Sequence, residues 1–509
     1  MIRPCLAALY IATLPAMVWA QDSAPNVPTL STILTPDWAS GTISRPHANV
    51  APAITIPEIM VTPLADIQVD AVGLFPTHIT GLPRDLWGMS DTATLARLMR
   101  TQPLQGLPAI QQFTQTLALA ELDPPFDATQ ASGVLFLARL DMLLARGALA
   151  PAQALIERTG ATEPEVFRRW FDISLLTDQA SRACAAMAVN LDIAPSFSAR
   201  IFCLAQSGDW AAAALSLGTG EALGRITTAE ADLLARFLDP ELFETAPAVP
   251  TDVVPTPLSF QMRRALGERP DTTGLPLAFV HADLSNTVGW RARLDAAERL
   301  MRAGAIEPTQ WIATYTTDRV PAASGAIWDR VNALQTFDAA LMAQDTAQID
   351  RHLAPAWAAV TEADLGVAFA TVYAERLLQL PLTGQAATTA RRVGLLSPLH
   401  EYVAQNNTPQ TDIERFAFGI ARGLAPPPRQ TDDLYTTAIA AAFANPPPSH
   451  RYAWFIENNR LGEALLRAAL VLSTPGADPD DVTDALALYR SVGLEGVARN
   501  AALQMLLLP

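Results

Sequence analysis

Three short strings in this chain share one grammar: RGALAP at 146–151, RTGATEP at 158–164 and RAGAIEP at 302–308. An arginine sits in the last turn of a helix, where its charge suits the C-terminal dipole. A glycine takes the left-handed position just past the helix end. A proline opens the next helix, where its missing N–H leaves no bond unmade. Each string therefore spells a helix, a tight turn and a second helix.

The apolar spacing between the joints agrees. Leu135, Leu137, Leu140, Leu143 and Leu144 form one helical stripe ended by Gly147, and Val166, Phe167, Trp170, Phe171 and Leu175 form another. Ser90-Asp91 is a helix N-cap ahead of Leu95, Leu98 and Met99. Thr227 to Glu230 has the capping-box spacing, and Asp478-Pro479-Asp480-Asp481 places a cap, a first-position proline and first-turn acids before another helix. Strand signals are weak throughout. The fold class that follows is all-α: an α-solenoid or superhelical array of antiparallel hairpins of ~30–40 residues each. The repeat is degenerate and no strict period aligns, so a non-repetitive helical bundle fits the same pattern. GTGEALG at 218–224 lacks a nucleotide-binding spacing, follows an alanine-rich helix rather than a strand, and reads as a turn.

The 40 prolines mark the organisation. MIRP, an apolar stretch and Val18-Trp19-Ala20 read as a secretory signal peptide over 1–20, cleaved after Ala20. Cys5 lies too early in it for a lipoprotein site. Residues 21–86 are a Pro-rich tether followed by an irregular docking segment. A first helical half spans 87–243, ETAPAVPTDVVPTP at 244–257 is a linker, and a second helical half spans 258–509. LAPPPRQ (424–430) and NPPPS (445–449) are long joints inside the second half. No later run reaches the ~18 apolar residues of a membrane span. The expected product is a periplasmic or secreted chain with no membrane span.

The sequence has no lysine, so every basic residue is arginine. Schiff-base lysines, Ser-Lys dyads and a P-loop lysine are excluded. The formal charge of −16 makes nucleic acid and anionic membranes poor partners.

Cys184 and Cys203 are the cysteines left after signal cleavage. Both stretches look helical, with the turn-rich NLDIAPS between them. In an antiparallel hairpin the two residues stand at similar distances from the turn, and an oxidising compartment favours a disulfide. There is no C-x-x-C, no local histidine for a nucleophile, and too few ligands for zinc. Two buried free thiols are the remaining alternative.

No two of the six histidines are spaced i, i+3 or i, i+4. His281 and Asp283 would meet only on a loop. No H-E-x-x-H or G-x-S-x-G occurs. Glu307, Glu375, Glu414 and Glu457 sit in or beside helices, with nothing that singles one out. No metal and no cofactor is expected. Two strings are candidate binding surfaces: AASGAIWDR (322–330), with Trp328, Asp329 and Arg330, and YAWFIENNR (452–460), with Tyr452, Trp454 and Arg460.

Strings such as AQSGDWAAAALSL and RLGEALLRAALVL resemble tetratricopeptide-like solenoids and the superhelical domain of soluble lytic transglycosylases, over roughly 90–509. The transglycosylase catalytic glutamate string has no match, so that activity is not implied. The layout is also similar to uncharacterised exported helical proteins of alphaproteobacteria labelled antifreeze-glycopeptide-like. That label implies Ala-Ala-Thr repeats, and this chain has only scattered cases such as AATTA at 386–390. The expected function is a non-catalytic scaffold or protein-interaction module of the cell envelope, with protein partners and peptidoglycan as the candidate ligands. The alternative is a peptidoglycan- or glycan-active enzyme or a binding protein related to one.

Overall fold

A computed structural model describes residues 68–508 apart from 161–162, 246–254, 318–319, 322–323, 426–433 and 445. The signal peptide, the whole tether, the start of the docking segment and most of the 244–257 linker lie outside the described residues. Helix accounts for 68% of the structure, and no strand forms among the described residues. Among the described residues twenty-five α-helices run from α1 (Thr77–Thr80) to α25 (Glu495–Leu507), numbered in chain order.

The glycines of the three joints turn left-handed as expected, but Pro151 is the third residue of α5 (Leu149–Thr159) rather than its first. Gly147, Gly160 and Gly304 have φ of +74°, +86° and +66°. Pro164 and Pro308 stand in the first turns of α6 (Pro164–Leu176) and α14 (Pro308–Tyr315). Asp91 caps α2 (Thr92–Arg100) by accepting from Thr94 N, and Thr227 and Glu230 complete a reciprocal capping box at α10 (Thr228–Leu238). Asp478 caps α24 (Pro479–Ser491). One reading is corrected: Gly218 to Ala222 belong to α9 (Trp210–Ala222), not to a turn. A Cβ at Gly220 would stand 2.5 Å from Ile226, so the glycine lets Ile226 pack on the helix.

Helices adjacent in sequence pack against each other from α4 (Val134–Ala145) through α5 (Leu149–Thr159) and α6 onward to α11 (Pro257–Ala265). They do so again from α13 (Trp290–Arg302) to α20 (Asp412–Ala421). Other contacts join distant parts of the chain. Helix α25 packs on α3 (Pro108–Leu119), and α2 packs on α23 (Leu461–Leu472). One buried cluster accordingly holds Leu95, Phe113 and Leu135 together with Trp311, Phe369, Leu465 and Leu503.

The irregular stretch before α2 is pinned by its backbone. Leu74 N and Phe75 N donate to Leu119 O at 2.7 and 3.1 Å, and Glu121 N donates back to Phe75 O at 2.8 Å. Gly73 has to be glycine here, since a Cβ would stand 2.2 Å from Glu121 N. Asp70, in the 3-10 turn Val69–Ala71, accepts from Gly133 N and Phe136 N, each at 2.7 Å. Gly133 is the N-cap of α4 and has no side chain to offer, so Asp70 performs the capping from outside the helix.

Arg139 of α4 is 1% exposed and closes the same corner. Its Nε donates to Ala118 O at 2.7 Å, and its two Nη atoms donate to Ala120 O at 2.9 Å and Asp70 O at 3.2 Å. Burial pulls its pKa down to about 10, so it stays charged at neutral pH. A lysine is a point charge that cannot span three carbonyls in fixed directions. Arg139→Lys is expected to destabilise the fold by ~3 kcal/mol, read as a lower midpoint in denaturant with an unchanged slope.

Candidate functional site

The two strings singled out in the sequence end up in different surroundings. Trp328, at the start of α15 (Ala326–Met342), is 9% exposed and packs with its ring 5.1 Å from that of Trp290. Arg330 is buried. Its Nε donates to Glu298 Oε1 at 2.7 Å, and Arg302 Nη2 donates to Glu298 Oε2 at 2.7 Å. The Tyr315 hydroxyl also donates to Glu298 Oε1. Burial, and then the Glu298 charge, hold the Tyr315 phenol far above its ordinary range. This buried glutamate has two guanidinium groups and a phenol as partners, and Arg330 is one of its anchors rather than part of a surface. Asp329 alone of the three is exposed, in the first turn of α15, where a negative charge suits the dipole.

The second string is half open. Tyr452, in α22 (His450–Glu457), is 1% exposed, and burial raises its phenol to about 12. Trp454 is 50% exposed. The Arg460 guanidinium lies 5.7 Å from the Trp454 ring centroid, and Arg460 Nε lies 3.1 Å from Glu463 Oε2. Arg467 holds the other oxygen of Glu463 at 2.7 Å and stands over Phe455 at 5.3 Å. A surface indole beside a guanidinium suits binding. Met89 and Phe126, which the sequence reading did not single out, are 51% and 57% exposed nearby. Met89 N donates to Asn459 O at 2.9 Å, and Phe126 N donates to Gly88 O at 3.2 Å. No local pattern marks these two residues, because their neighbours come from far along the chain.

Glu414 is buried and tied to Arg391 at 2.9 Å. Glu307 is pushed up by burial, with no charged partner contributing to the shift. His281 and Asp283 diverge: the ring donates from Nε2 to Gly147 O at 2.5 Å, and Asp283 accepts from the Thr272 hydroxyl at 2.5 Å. Among the described residues, no group of three or more His, Cys, Asp or Glu stands close enough to hold a metal ion. A cavity of about 90 Å³ opens between α8 (Phe197–Gln206), α10 and α11. Its polar lining is already engaged: Ser198 donates to Glu230 at 3.3 Å, Ser259 to Thr256 O at 3.1 Å and Arg263 to Glu268 at 3.0 Å.

Cys184 on α7 (Ala180–Val189) and Cys203 on α8 face each other across the joint, with Cα atoms 5.0 Å apart and sulfurs at 1.96 Å, a disulfide distance. Both are buried. With the geometry in hand, comparison with known proteins returns no matching protein family, no matching curated protein and no matching solved structure.

Two measurements follow. Reduction is expected to add the mass of two hydrogens and to lower stability by ~3 kcal/mol, read by intact mass and by denaturant unfolding with and without reductant. Asp172 of α6 is raised to about 6, chiefly by burial, with Arg168 and Arg169 pulling against it. Its unfolded value is about 3.9, so the folded state holds the proton more tightly. The group therefore leaves the fold unpenalised below about pH 4, and it destabilises the fold increasingly as pH rises through 6. Asp172→Asn is expected to gain about 2 kcal/mol relative to the parent between pH 4 and pH 7.5. An identical pH profile for the two proteins would remove this account.

Proposed function

We propose that the chain is an exported, non-catalytic scaffold of the cell envelope, built as an array of short helical hairpins, that acts by binding protein partners in the periplasm. The observation that carries this reading is the cysteine pair at disulfide distance across one hairpin, in a chain whose first twenty residues have the form of a cleaved export signal. A cysteine pair of this kind persists in an oxidising compartment and is reduced in the cytosol. The consecutive packing of neighbouring helices supports the hairpin array. The buried carboxylates support a binding role over a catalytic one. Glu298, Glu414 and Glu463 are each held in place by arginine.

The test is recovery of the tagged full chain from the osmotic-shock fraction of a Gram-negative host after reversible cross-linking. The mature chain is expected to begin at Gln21, to carry no free thiol and to bring down one protein in near-stoichiometric amount. Retention in the cytosol with two reactive thiols would overturn the reading. So would an exported chain that recovers no partner, or one that releases soluble fragments from purified peptidoglycan.

A further inference from the structure

We infer that the surface around Trp454, Phe126 and Met89 is the docking site for a protein segment that presents an apolar anchor flanked by basic residues. The inference deepens the scaffold reading and rests on it.

Three large apolar side chains are each at least half exposed here: Trp454 at 50%, Met89 at 51% and Phe126 at 57%. They come from three separate segments that the backbone ties together. Met89 N donates to Asn459 O, Phe126 N to Gly88 O and Gly462 N to Leu86 O. Beneath them Leu86 and Trp87 are each 1% exposed. Gly462 makes room for this, since a Cβ would meet Trp87 at 2.4 Å. The exposed side chains therefore stand on loops anchored in the core, not on a loose end. Scattered single apolar residues are ordinary on a protein surface, but a gathered and rigidly supported group marks an interaction site. Tryptophan, phenylalanine, methionine and arginine are also the residues that protein interfaces favour, with tryptophan and arginine the commonest hot spots.

Charge decides what kind of partner fits. Asp91 and Asp127 closely follow Met89 and Phe126 in the chain and Glu457 stands one turn after Trp454, while Arg460 and Arg467 share the carboxylate of Glu463, which leaves three acids against one unmatched guanidinium. The chain as a whole carries −16. An approaching segment thus meets a negative rim, and basic flanks are attracted while acidic ones are repelled. The same acids argue against a saccharide. Asp91 accepts from Thr94 N at 2.8 Å and Asp127 from Thr92 N at 3.2 Å, so these oxygens are engaged in holding α2. The Thr94 hydrogen bonds hold Asp91 below the ordinary carboxylate range, so it keeps its charge. Met89 and Phe126 have no side-chain donor to offer a sugar hydroxyl.

The test is selection from a random peptide library on the purified, oxidised mature chain, with the selected peptides then measured against a Phe126→Ser/Trp454→Ser double variant. Both side chains are half exposed, so the variant is expected to keep the parental circular dichroism and melting point. Surviving peptides are expected to carry an aromatic or large aliphatic anchor beside Lys or Arg. Their affinity is expected to fall about tenfold in the double variant. It is also expected to fall about threefold in Asp91→Asn, which keeps the helix cap and removes the charge. Peptides that bind the double variant equally well, or a selected consensus that is acidic, would overturn the inference. So would a perturbation of Trp454 by chito-oligosaccharides that the selected peptides do not produce. Any of these results leaves the scaffold reading standing, because that reading fails only in the exported-fraction experiment.

Discussion

The arginine fork holding a neighbouring helix by its C-terminal carbonyls is the interaction on which the rest of this structure depends. Every α-helix ends with carbonyls that its own backbone cannot satisfy. A body made of short helices has many such ends, and packing places them inside. Arg139 holds the end of α3 at Ala118 and Ala120. Arg302 reaches Ala363 at the end of α16 (Thr346–Glu362). Arg490 of α24 joins Ala442, near the end of α21 (Leu434–Phe443), to Gly423 just past α20, and stacks 4.2 Å from the Phe443 ring. Arg499 takes Ala421 at the end of α20 together with Glu401. Each of these contacts needs several donors in fixed directions on a group that stays charged when buried. Guanidinium meets that demand and ammonium does not. A chain with no lysine is chemically suited to this way of joining helices.

These forks also determine what is left for function. Guanidinium groups hold the carboxylates of Glu298, Glu414 and Glu463 in place. The aromatic–guanidinium pair of Trp454 with Arg460 stays partly open. It sits where α22 and α23 meet the loop before α2. The surface apolar group there exists because the first described helices pack against the last ones. The cysteine pair stands elsewhere, in a stretch that contributes nothing to the main buried cluster, which passes from Ala138 directly to Val280. In that stretch Val189, Leu215, Leu223 and Leu242 are all more than 60% exposed. A covalent tie between α7 and α8 helps most where apolar burial is thin.

The helices, their caps and their joints were legible because each is a local matter. Gly147 and Gly304 turn left-handed for reasons contained in a few neighbouring residues, and Thr227 and Glu230 cap each other within one turn. The cysteine pair was legible for the same reason, since α7 and α8 are consecutive. The candidate surfaces were legible only in part. YAWFIENNR shows that aromatics and an arginine are close in sequence, but not that Tyr452 faces the core while Trp454 faces out. AASGAIWDR shows a tryptophan and an arginine, but not that Glu298 waits for Arg330. Helix α16 runs on through Pro355, a residue that by local rule ends or kinks a helix, because α15 and α18 (Gly384–Leu395) pack along it.

By itself the sequence determined the helical class, the left-handed joints at Gly147, Gly160 and Gly304 and the capping residues, and it pointed to Cys184 with Cys203, because these rest on backbone preferences and contacts within a hairpin. Only the tertiary structure decided that Asp70 caps α4 from outside, that α25 lies on α3, and that Met89 and Phe126 stand near Trp454. Those outcomes depend on which arginine reaches which distant carbonyl and which surfaces bury each other, and neither is written in the spacing of residues along the chain.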